Sequence, residues 1–186
     1  ADKLIMTKVE HLICAIEDKK ASKLPPLIEV QQRFDMPADT REKYEEMKKD
    51  FVVEEADAEA VNEAVKSGKL RQIASGFIYT EGKAYSLDDK RFIEAKRWQT
   101  GFEGECGIIF YEYEEHCRQL ANRDSVTGDV SEFKEGNHQL LLAQFNSLSH
   151  GIEGLQYLTN VICFFAPLWS RDARGQSVGR VWRQGQ

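Results

Sequence analysis

The sequence has no long apolar run, no secretion leader and no closely spaced pair of cysteines. Apolar stretches such as Leu140 to Ala143 and Val161 to Ala166 are far shorter than the roughly 20 residues that a membrane-spanning helix needs. The first residues do not combine a basic start with an apolar core, which is the pattern of a secretory signal. The 4 cysteines lack any Cys-x-x-Cys spacing, so we expect reduced, buried thiols. These absences indicate a soluble, cytoplasmic protein.

Several catalytic patterns are also missing. A phosphate-binding P-loop reads Gly-x-x-x-x-Gly-Lys and then Ser or Thr, whereas the nearest candidate, Gly76 to Lys83, is one residue too long and precedes Ala84. The sequence contains no Asp-Glu-x-His or Asp-Glu-x-Asp box and no Gly-x-Ser-x-Gly pattern. His11 and Cys14 stand one helical turn apart without a second pair of ligands, so we predict no metal site. This chain alone is therefore not expected to hydrolyse ATP.

Basic residues are outnumbered, 25 against 31 acidic ones, which gives a formal net charge of −6 at pH 7. A protein that holds nucleic acid by bulk charge needs clustered Lys and Arg, so this balance argues against such a protein. The charges are segregated along the chain. Residues 50–63 carry six acids and no base, which we interpret as a solvated helix face. The tail concentrates basic side chains, namely Arg171, Arg174, Arg180 and Arg183.

The length of 186 residues and a hydrophobic content of 41% suffice for one sizeable core, so a single domain is expected. Its first part, residues 1–86, favours helices and a hairpin. Pro25 and Pro26 end one helical pattern, and Gly76 ends another. The patterns predict helices over residues 4–20, 37–49 and 57–75, an alternating strand over residues 28–34, and a hairpin whose turn is residues 80–83.

From residue 87 onward, helical stretches alternate with short apolar strands, which is typical of an α/β lobe with a parallel sheet and helices on both faces. We predict strands over residues 106–111, 139–143 and 160–165, and helices over residues 88–99, 113–122, 130–135 and 171–181. Ligands bind such sheets at the carboxyl ends of the strands. Chemistry is therefore expected after Tyr111, Ala143 and Ala166.

The tail carries the most informative constellation. Gln176, Arg180 and Arg183 are four and three residues apart, so on a helix they would share one face. An arginine fork binds phosphate oxygens in pairs and stays charged, which suits a phosphoryl group in transfer. A solvated basic helix end, favoured by the helix dipole, would show the same spacing. Spacing alone does not decide between the two.

The same residues match a family signature. The tail resembles motif VI of Swi/Snf-like helicases of superfamily 2, especially the DEAD/DEXH-type helicases of phages, whose pattern is Gln-x-x-x-Arg-x-x-Arg-x-Gly-Gln. The matching residues are Gln176, Arg180, Arg183, Gly185 and Gln186. Residues 107–111 resemble motif IV, residues 147–156 resemble motif V, and residues 69–76 resemble the helix that leads into this lobe. A Gly-rich turn such as motif V can offer free backbone amides to a phosphate.

The resemblance implies that residues 87–186 form a RecA-like lobe, the second motor lobe of an ATP-dependent helicase or translocase. In that family motif VI supplies arginine fingers, here Arg180 and Arg183 together with Gln176, to ATP and Mg²⁺ bound mainly by an N-terminal RecA-like lobe. Motif V implies that Gly151 and Glu153 contact the nucleotide. It also implies a nucleic-acid path along Ser147, Ser149 and His150. Ser149 and Glu153 depart from the family's commonest residues.

The resemblance also defines the expected partners, which are the N-terminal lobe of the same protein and single- or double-stranded nucleic acid, with DNA favoured. We accordingly expect the chain to be one part of a longer protein, in the host cytoplasm if a phage encodes it. Trp169 and Trp182 are predicted to be core residues, and His116 and His138 surface or loop residues. The alternative function is a stand-alone α/β binding or regulatory module without ATPase activity, which the acidic run at residues 50–63 would suit.

Overall fold

The computed structural model describes residues 24–100, 105–121, 125–145, 153–167 and 170–183, without the side chains of residues 99 and 100. The helix predicted over residues 4–20 lies outside these ranges. The helices are α1 (Ala38–Asp50), α2 (Glu63–Ile73), α3 (Lys90–Thr100), α4 (Glu114–Leu120), α5 (Val130–Lys134) and α6 (Arg171–Val181). The strands are β1 (Val52–Val53), β2 (Ala58–Glu59), β3 (Phe77–Thr80), β4 (Lys83–Ser86), β5 (Gly107–Tyr111), β6 (Val126–Thr127), β7 (Leu140–Gln144) and β8 (Val161–Phe164).

Strands β5 to β8 form a parallel sheet in the order β6-β7-β5-β8. Its central strands are continuous apolar runs because helices cover both of their faces. In the register, Ile108 lies between Leu141 and Ile162. The three predicted strands are confirmed within two residues at each end. The sequence did not predict β6, because two residues are too few to show alternation.

Helices pack on both faces of this sheet, as predicted. On one face, Phe133 of α5 and Val181 of α6 join a buried cluster with alternate residues of β5 and β7. On the other face, Phe92 of α3 and Leu120 of α4 pack against the intervening residues. Burying each such side chain contributes about 1.5–3 kcal/mol, so the helices and the sheet stabilise each other. Within the described ranges, no helix is both long enough and apolar enough to cross a membrane.

Residues 38–87 build a second core ahead of the sheet. Met47, Val53, Ile73 and Ile78, from α1, β1, α2 and β3, are all fully buried in it. The predicted β3–β4 hairpin is confirmed, with Thr80 opposite Lys83. Helix α2 is followed by a turn at residues 74–76. Gly76 in this turn has a positive φ of 89°, and β3 begins at the next residue.

Two predictions for this first part are wrong. Residues 24–37 contain no helix or strand, because no neighbouring strand pairs with the alternating residues 28–34. The acidic run is not a helix face: it forms the β1–β2 hairpin with a 3₁₀ turn, and α2 begins only at Glu63, after the Asn62 cap. Ala56, Ala58 and Ala60 are buried, but the acids between them concealed this burial in the sequence.

Candidate functional site

Helix α6 carries two of the predicted catalytic residues, Gln176 and Arg180, and is packed against the sheet. The Ser170 hydroxyl caps its start by accepting a hydrogen bond from the Ala173 amide at 3.2 Å. The helix packs through Ser177 and Val181, which are 7% and 3% exposed. Val181 lies in the same buried cluster as Leu155, just ahead of β8. The position of α6 on the sheet is therefore determined by packing along one side of the helix.

Gln176 and Arg180 lie one turn apart on the side of α6 next to this packed face. Gln176 is exposed and Arg180 is half-buried. Four residues correspond to little more than one helical turn, so both side chains emerge on the same side, as their spacing predicts. One amide and one guanidinium thus stand together beside a rigid surface. Their contact with a nucleotide stays a prediction.

Arg183 does not share that helical face. Helix α6 ends at Val181, and Trp182 has a ψ of 84°, so the chain leaves the helical path before Arg183. The Nε atom of Arg183 instead donates a hydrogen bond to the Gly179 carbonyl at 2.5 Å. The prediction of three residues on one face is wrong for Arg183, because this side chain folds back to satisfy a carbonyl that the helix end leaves free. Gly185 and Gln186 lie outside the described residues.

The segment that begins at Glu153 lies beside α6. Glu153 is exposed, and Gly154 follows with a φ of 90° that favours glycine. The 3₁₀ turn Leu155–Tyr157 then packs on α6, with Leu155 fully buried. Glu153 therefore lies two residues before a turn that packs on the helix of Gln176 and Arg180. The other motif V predictions, Ser147, Ser149, His150 and Gly151, lie outside the described residues, as does Trp169.

A cleft of about 350 Å³ opens where the carboxyl ends of β5 and β8 meet α2. Its polar lining consists of Arg71, Ser75, Arg91, Glu112 and Tyr113. Arg71 forms an ion pair with Glu112 and also donates to the Pro167 carbonyl at 3.3 Å. Two arginines face one glutamate here, so the cleft has a positive formal charge, which favours an anionic ligand.

Arg91 holds the two parts of the chain together at this cleft. Its Nη1 donates to the Phe165 carbonyl and its Nη2 to the Ala74 carbonyl, both at 2.8 Å. Burial lowers the pKa of Arg91, and the negative charge of Asp88 opposes that effect. An arginine stays protonated in proteins, so the donor of both hydrogen bonds is charged, and such bonds are stronger than bonds between neutral groups. Arg91 thereby connects the end of α2 with the end of β8.

His116 is buried beneath the cleft, contrary to the prediction of a surface or loop position. It is 0% exposed, and neither ring nitrogen has a hydrogen-bond partner among the described residues. Aromatic rings surround it, with centroid distances of 4.7 to 6.4 Å, namely Phe77, Phe92, Tyr113 and Phe165. Burial, assisted by the positive charge of Arg91, lowers the pKa of His116 to about 3. The imidazole is therefore neutral at physiological pH and packs as an aromatic ring.

The donor groups near α6 suit a phosphate better than a metal ion. Guanidinium and amide N–H groups bind phosphate oxygens, whereas Mg²⁺ takes oxygen ligands in octahedral geometry. In the described part of the chain, no three His, Cys, Asp or Glu side chains form a group that could hold a metal. Cys106, Cys117 and Cys163 are free thiols and half-buried. Burial raises the pKa of Cys163 to about 11, so this thiol is protonated near neutral pH.

Sequence comparison relates the chain to a phage protein. No family model matches the chain. It is similar to protein p41 of Acyrthosiphon pisum secondary endosymbiont phage 1, with 27% identity over 158 residues, which cover 79% of this chain and 34% of p41. The chain thus spans about a third of the length of that relative. Because the sheet-forming part is only about half of the chain, the similarity also includes residues from the part before it.

The cleft lies where the sequence predicts chemistry, after Tyr111 and Ala166, although its side chains were not named individually. Glu112 and Tyr113 directly follow a predicted strand, so their position at the ligand-binding edge of the sheet agrees with that prediction. The positions of Arg71 and Arg91 could not be inferred, because each lies on a helix and reaches the edge only through contacts made at distant positions in the chain. Trp182 is half-buried and belongs to none of the buried clusters of the described structure, so the prediction of a core residue is not confirmed; its Nε1 donates to the Pro25 carbonyl at 2.9 Å.

Proposed function

We propose that this chain is the second motor lobe of an ATP-dependent nucleic-acid helicase or translocase, with a RecA-like fold. One observation carries the proposal: Gln176 and Arg180 stand together on a helix that is packed against a parallel α/β sheet, beside the segment that starts at Glu153. The motif VI resemblance gives this pair its expected role. The similarity to a longer phage protein, of which the match covers 34%, agrees with a chain that acts as part of a larger enzyme.

In this function, Arg180 acts on ATP held mainly by the N-terminal lobe. Its guanidinium would approach the phosphoryl group from across the cleft between the lobes and stabilise the charge that develops during transfer. Half-burial restricts the arginine stem, which reduces the entropy lost when the fork meets its target. Gln176 would hold its amide beside the same phosphates. Glu153, with Gly151, would meet the nucleotide, where a carboxylate can accept a ribose hydroxyl.

The nucleic-acid path is proposed along the carboxyl edge of the sheet. Ser147, Ser149 and His150 follow β7, and the cleft with Arg71 and Arg91 lies at the ends of β5 and β8 on the same edge. Because β5, β7 and β8 are parallel, their carboxyl ends lie on one side of the lobe, and the path is proposed to continue from there. Local positive charge there could hold a phosphate backbone although the whole chain is acidic. Opening and closing of the two lobes would then move the strand.

The deciding experiment is Arg180→Ala in the complete two-lobed protein. We expect nucleic-acid-stimulated ATP turnover to fall by about three to five decades, because arginine fingers contribute that much to phosphoryl transfer. Nucleotide affinity should change little, since the interaction is made mainly in the transition state. Arg180→Lys should not restore the rate, because a flexible point charge does not reproduce the planar fork.

Arg171→Ala is the matched control. Arg171 is exposed and lies on α6 nine residues before Arg180, which at about 100° per residue places it on the opposite side of the helix. It should keep normal turnover. Near-normal turnover in Arg180→Ala would contradict the proposal, and a large fall of its melting temperature would assign Arg180 a structural role instead.

The competing function is a stand-alone binding module, which the separate core of residues 38–87 favours. The coding sequence upstream of Ala1 distinguishes the two. A P-loop and an Asp-Glu box there would support the motor lobe. A stop codon or an unrelated domain would support the module.

A further inference from the structure

Residues 27–34, which we call the strap, run beside the outer edge of the parallel sheet without joining it. Among the described residues β8 pairs with β5 alone, so its other edge has no strand partner. The strap itself belongs to no helix or strand. An unpaired edge strand exposes a row of backbone donors and acceptors that favour pairing with a further strand.

Three contacts fix the direction of the strap. They join Pro25 to Trp182 (2.9 Å, carbonyl to indole nitrogen), Glu29 to Arg174 (3.0 Å, carboxylate to guanidinium) and Phe34 to Arg91 (5.4 Å, ring centroid to guanidinium carbon). Trp182 follows the end of α6 that packs near the start of β8, whereas Arg91 bonds the Phe165 carbonyl just past the end of β8. The strap therefore runs parallel to β8, in the same direction as every strand of this sheet.

The side chains of the strap also alternate between two faces, as those of a strand do. Phe34 turns toward α3 through Arg91, and Glu29 turns toward α6 through Arg174, so residues of opposite parity point to opposite faces. On β8, Cys163 packs with the α3 face. In an extended strap, Ile28 and Val30 therefore share the side of Phe34 and Cys163.

A groove of about 550 Å³ separates the strap from the sheet. Its apolar lining includes Ile162, Phe164 and Trp98. Ile28 and Val30 are 80% and 83% exposed although their spacing is that of a buried strand face. Closing the groove would remove apolar surface from water on both sides, which is favourable. The Glu29–Arg174 pair is exposed and contributes little, so it does not prevent such a movement.

We propose that the strap closes on the free edge of β8 as a fifth parallel strand, so that the sheet alternates between an open and a closed edge. In the closed form, Ile28 and Val30 cover the groove and the strap backbone pairs with β8. The strap leads through Pro37 into α1, so closure also changes how the first part of the chain is attached to the sheet. This proposal is independent of the motor function.

A disulfide trap tests the closure in the full 186-residue chain. Val30→Cys, in a Cys14→Ser background, places a thiol on the strap side that faces Cys163. Adjacent strands are about 4.8 Å apart, within the Cα separation of about 4.4–6.8 Å that a disulfide requires. With diamide as oxidant, we expect a disulfide between the introduced thiol and Cys163. Arg118 and Lys134 are trypsin sites that separate Cys163 from Cys117, so mass spectrometry of the peptides identifies the bond.

Two control variants decide the interpretation. Val61→Cys replaces a valine that is 79% exposed, nearly the same as Val30, but Val61 lies near the β1–β2 hairpin and away from the strap. Glu29→Cys lies on the strap with the opposite parity. Closure predicts that Val30→Cys bonds Cys163 at least about tenfold faster than either control, through a higher effective concentration. Equal rates for Val30→Cys and Val61→Cys would overturn the proposal, and equal rates for Val30→Cys and Glu29→Cys would show a mobile strap that does not pair.

Discussion

The buried His116 should make the stability of this chain depend on pH in a defined way. The ring lies among aromatic side chains without a hydrogen-bond partner in the described structure, so protonation would place an unpaired charge in an apolar site. Its pKa is about 3 in the folded protein against an ordinary value of 6.5. The unfolded chain therefore binds a proton between these two values and the folded protein does not. Stability is fully present above pH 6.5 and is lost as the pH falls toward 3.

The size of this effect follows from the two pKa values. Below both of them, the loss of unfolding free energy attributable to His116 is about 5 kcal/mol. Between pH 7 and pH 5 the same relation gives a loss of about 2 kcal/mol. This is a large share of the net stability of an ordinary domain, which is about 5–15 kcal/mol. Mild acid should thus weaken the region around the cleft well before the carboxylates titrate.

His116→Phe isolates this contribution. It keeps an aromatic ring and removes the titratable nitrogens, so the loss between pH 7 and pH 5 should shrink by about 2 kcal/mol, whatever the variant's stability at pH 7. Urea unfolding followed by tryptophan fluorescence at several pH values measures this slope. Leu120→Val, at a buried position of the same helix, is the control and should lower stability at every pH without changing the slope. An unchanged slope in His116→Phe would refute the reasoning.

Two further predictions concern the backbone and the electrostatics. Gly76→Ala should destabilise the chain clearly more than Gly82→Ala, for which about 1 kcal/mol is expected. Both residues have positive φ, but a Cβ at Gly76 would lie 2.6 Å from the Asp88 carbonyl oxygen, whereas a Cβ at Gly82 would have no described atom beyond its chain neighbours within 4 Å. Equal losses of stability in thermal unfolding would contradict this prediction. Binding of the chain to a fluorescent single strand should be weak and should fall steeply with salt, and a salt-independent affinity would contradict that expectation.

The parallel sheet was predictable from sequence because its strands are buried on both sides. An uninterrupted apolar run such as Leu140 to Ala143 has few alternatives once helical patterns flank it. The first part of the chain was less predictable, because its hydrophobic pattern does not match the structure that its residues adopt. Residues 28–34 alternate as a strand does, but a strand also needs a partner, and the partner is a matter of tertiary structure. Small buried alanines between acids gave no hydrophobic signal for β1 and β2.

The candidate site likewise contains residues that local spacing predicts and residues whose position depends on tertiary contacts. Gln176 and Arg180 could be placed from spacing, because helix geometry relates residues four apart without reference to the rest of the fold. The contacts of Arg71, Arg91 and His116 depend on which helix meets which strand end, and no local pattern encodes that. His116 lies on a short helix, where a polar residue is usually expected to face the solvent. Only packing against four rings shows that this histidine serves as a core residue.

The two arginines of the motif VI resemblance are therefore not equivalent in this structure. Arg180 emerges from a regular helix, so the helix backbone sets the direction in which its side chain leaves. Arg183 lies beyond the helix end and donates to the Gly179 carbonyl, so it must give up this bond before it can reach a phosphate. This bond is exposed to water, so it contributes little to stability and a phosphate contact would replace it. If both arginines act on ATP, docking of the N-terminal lobe must release Arg183 from the Gly179 carbonyl.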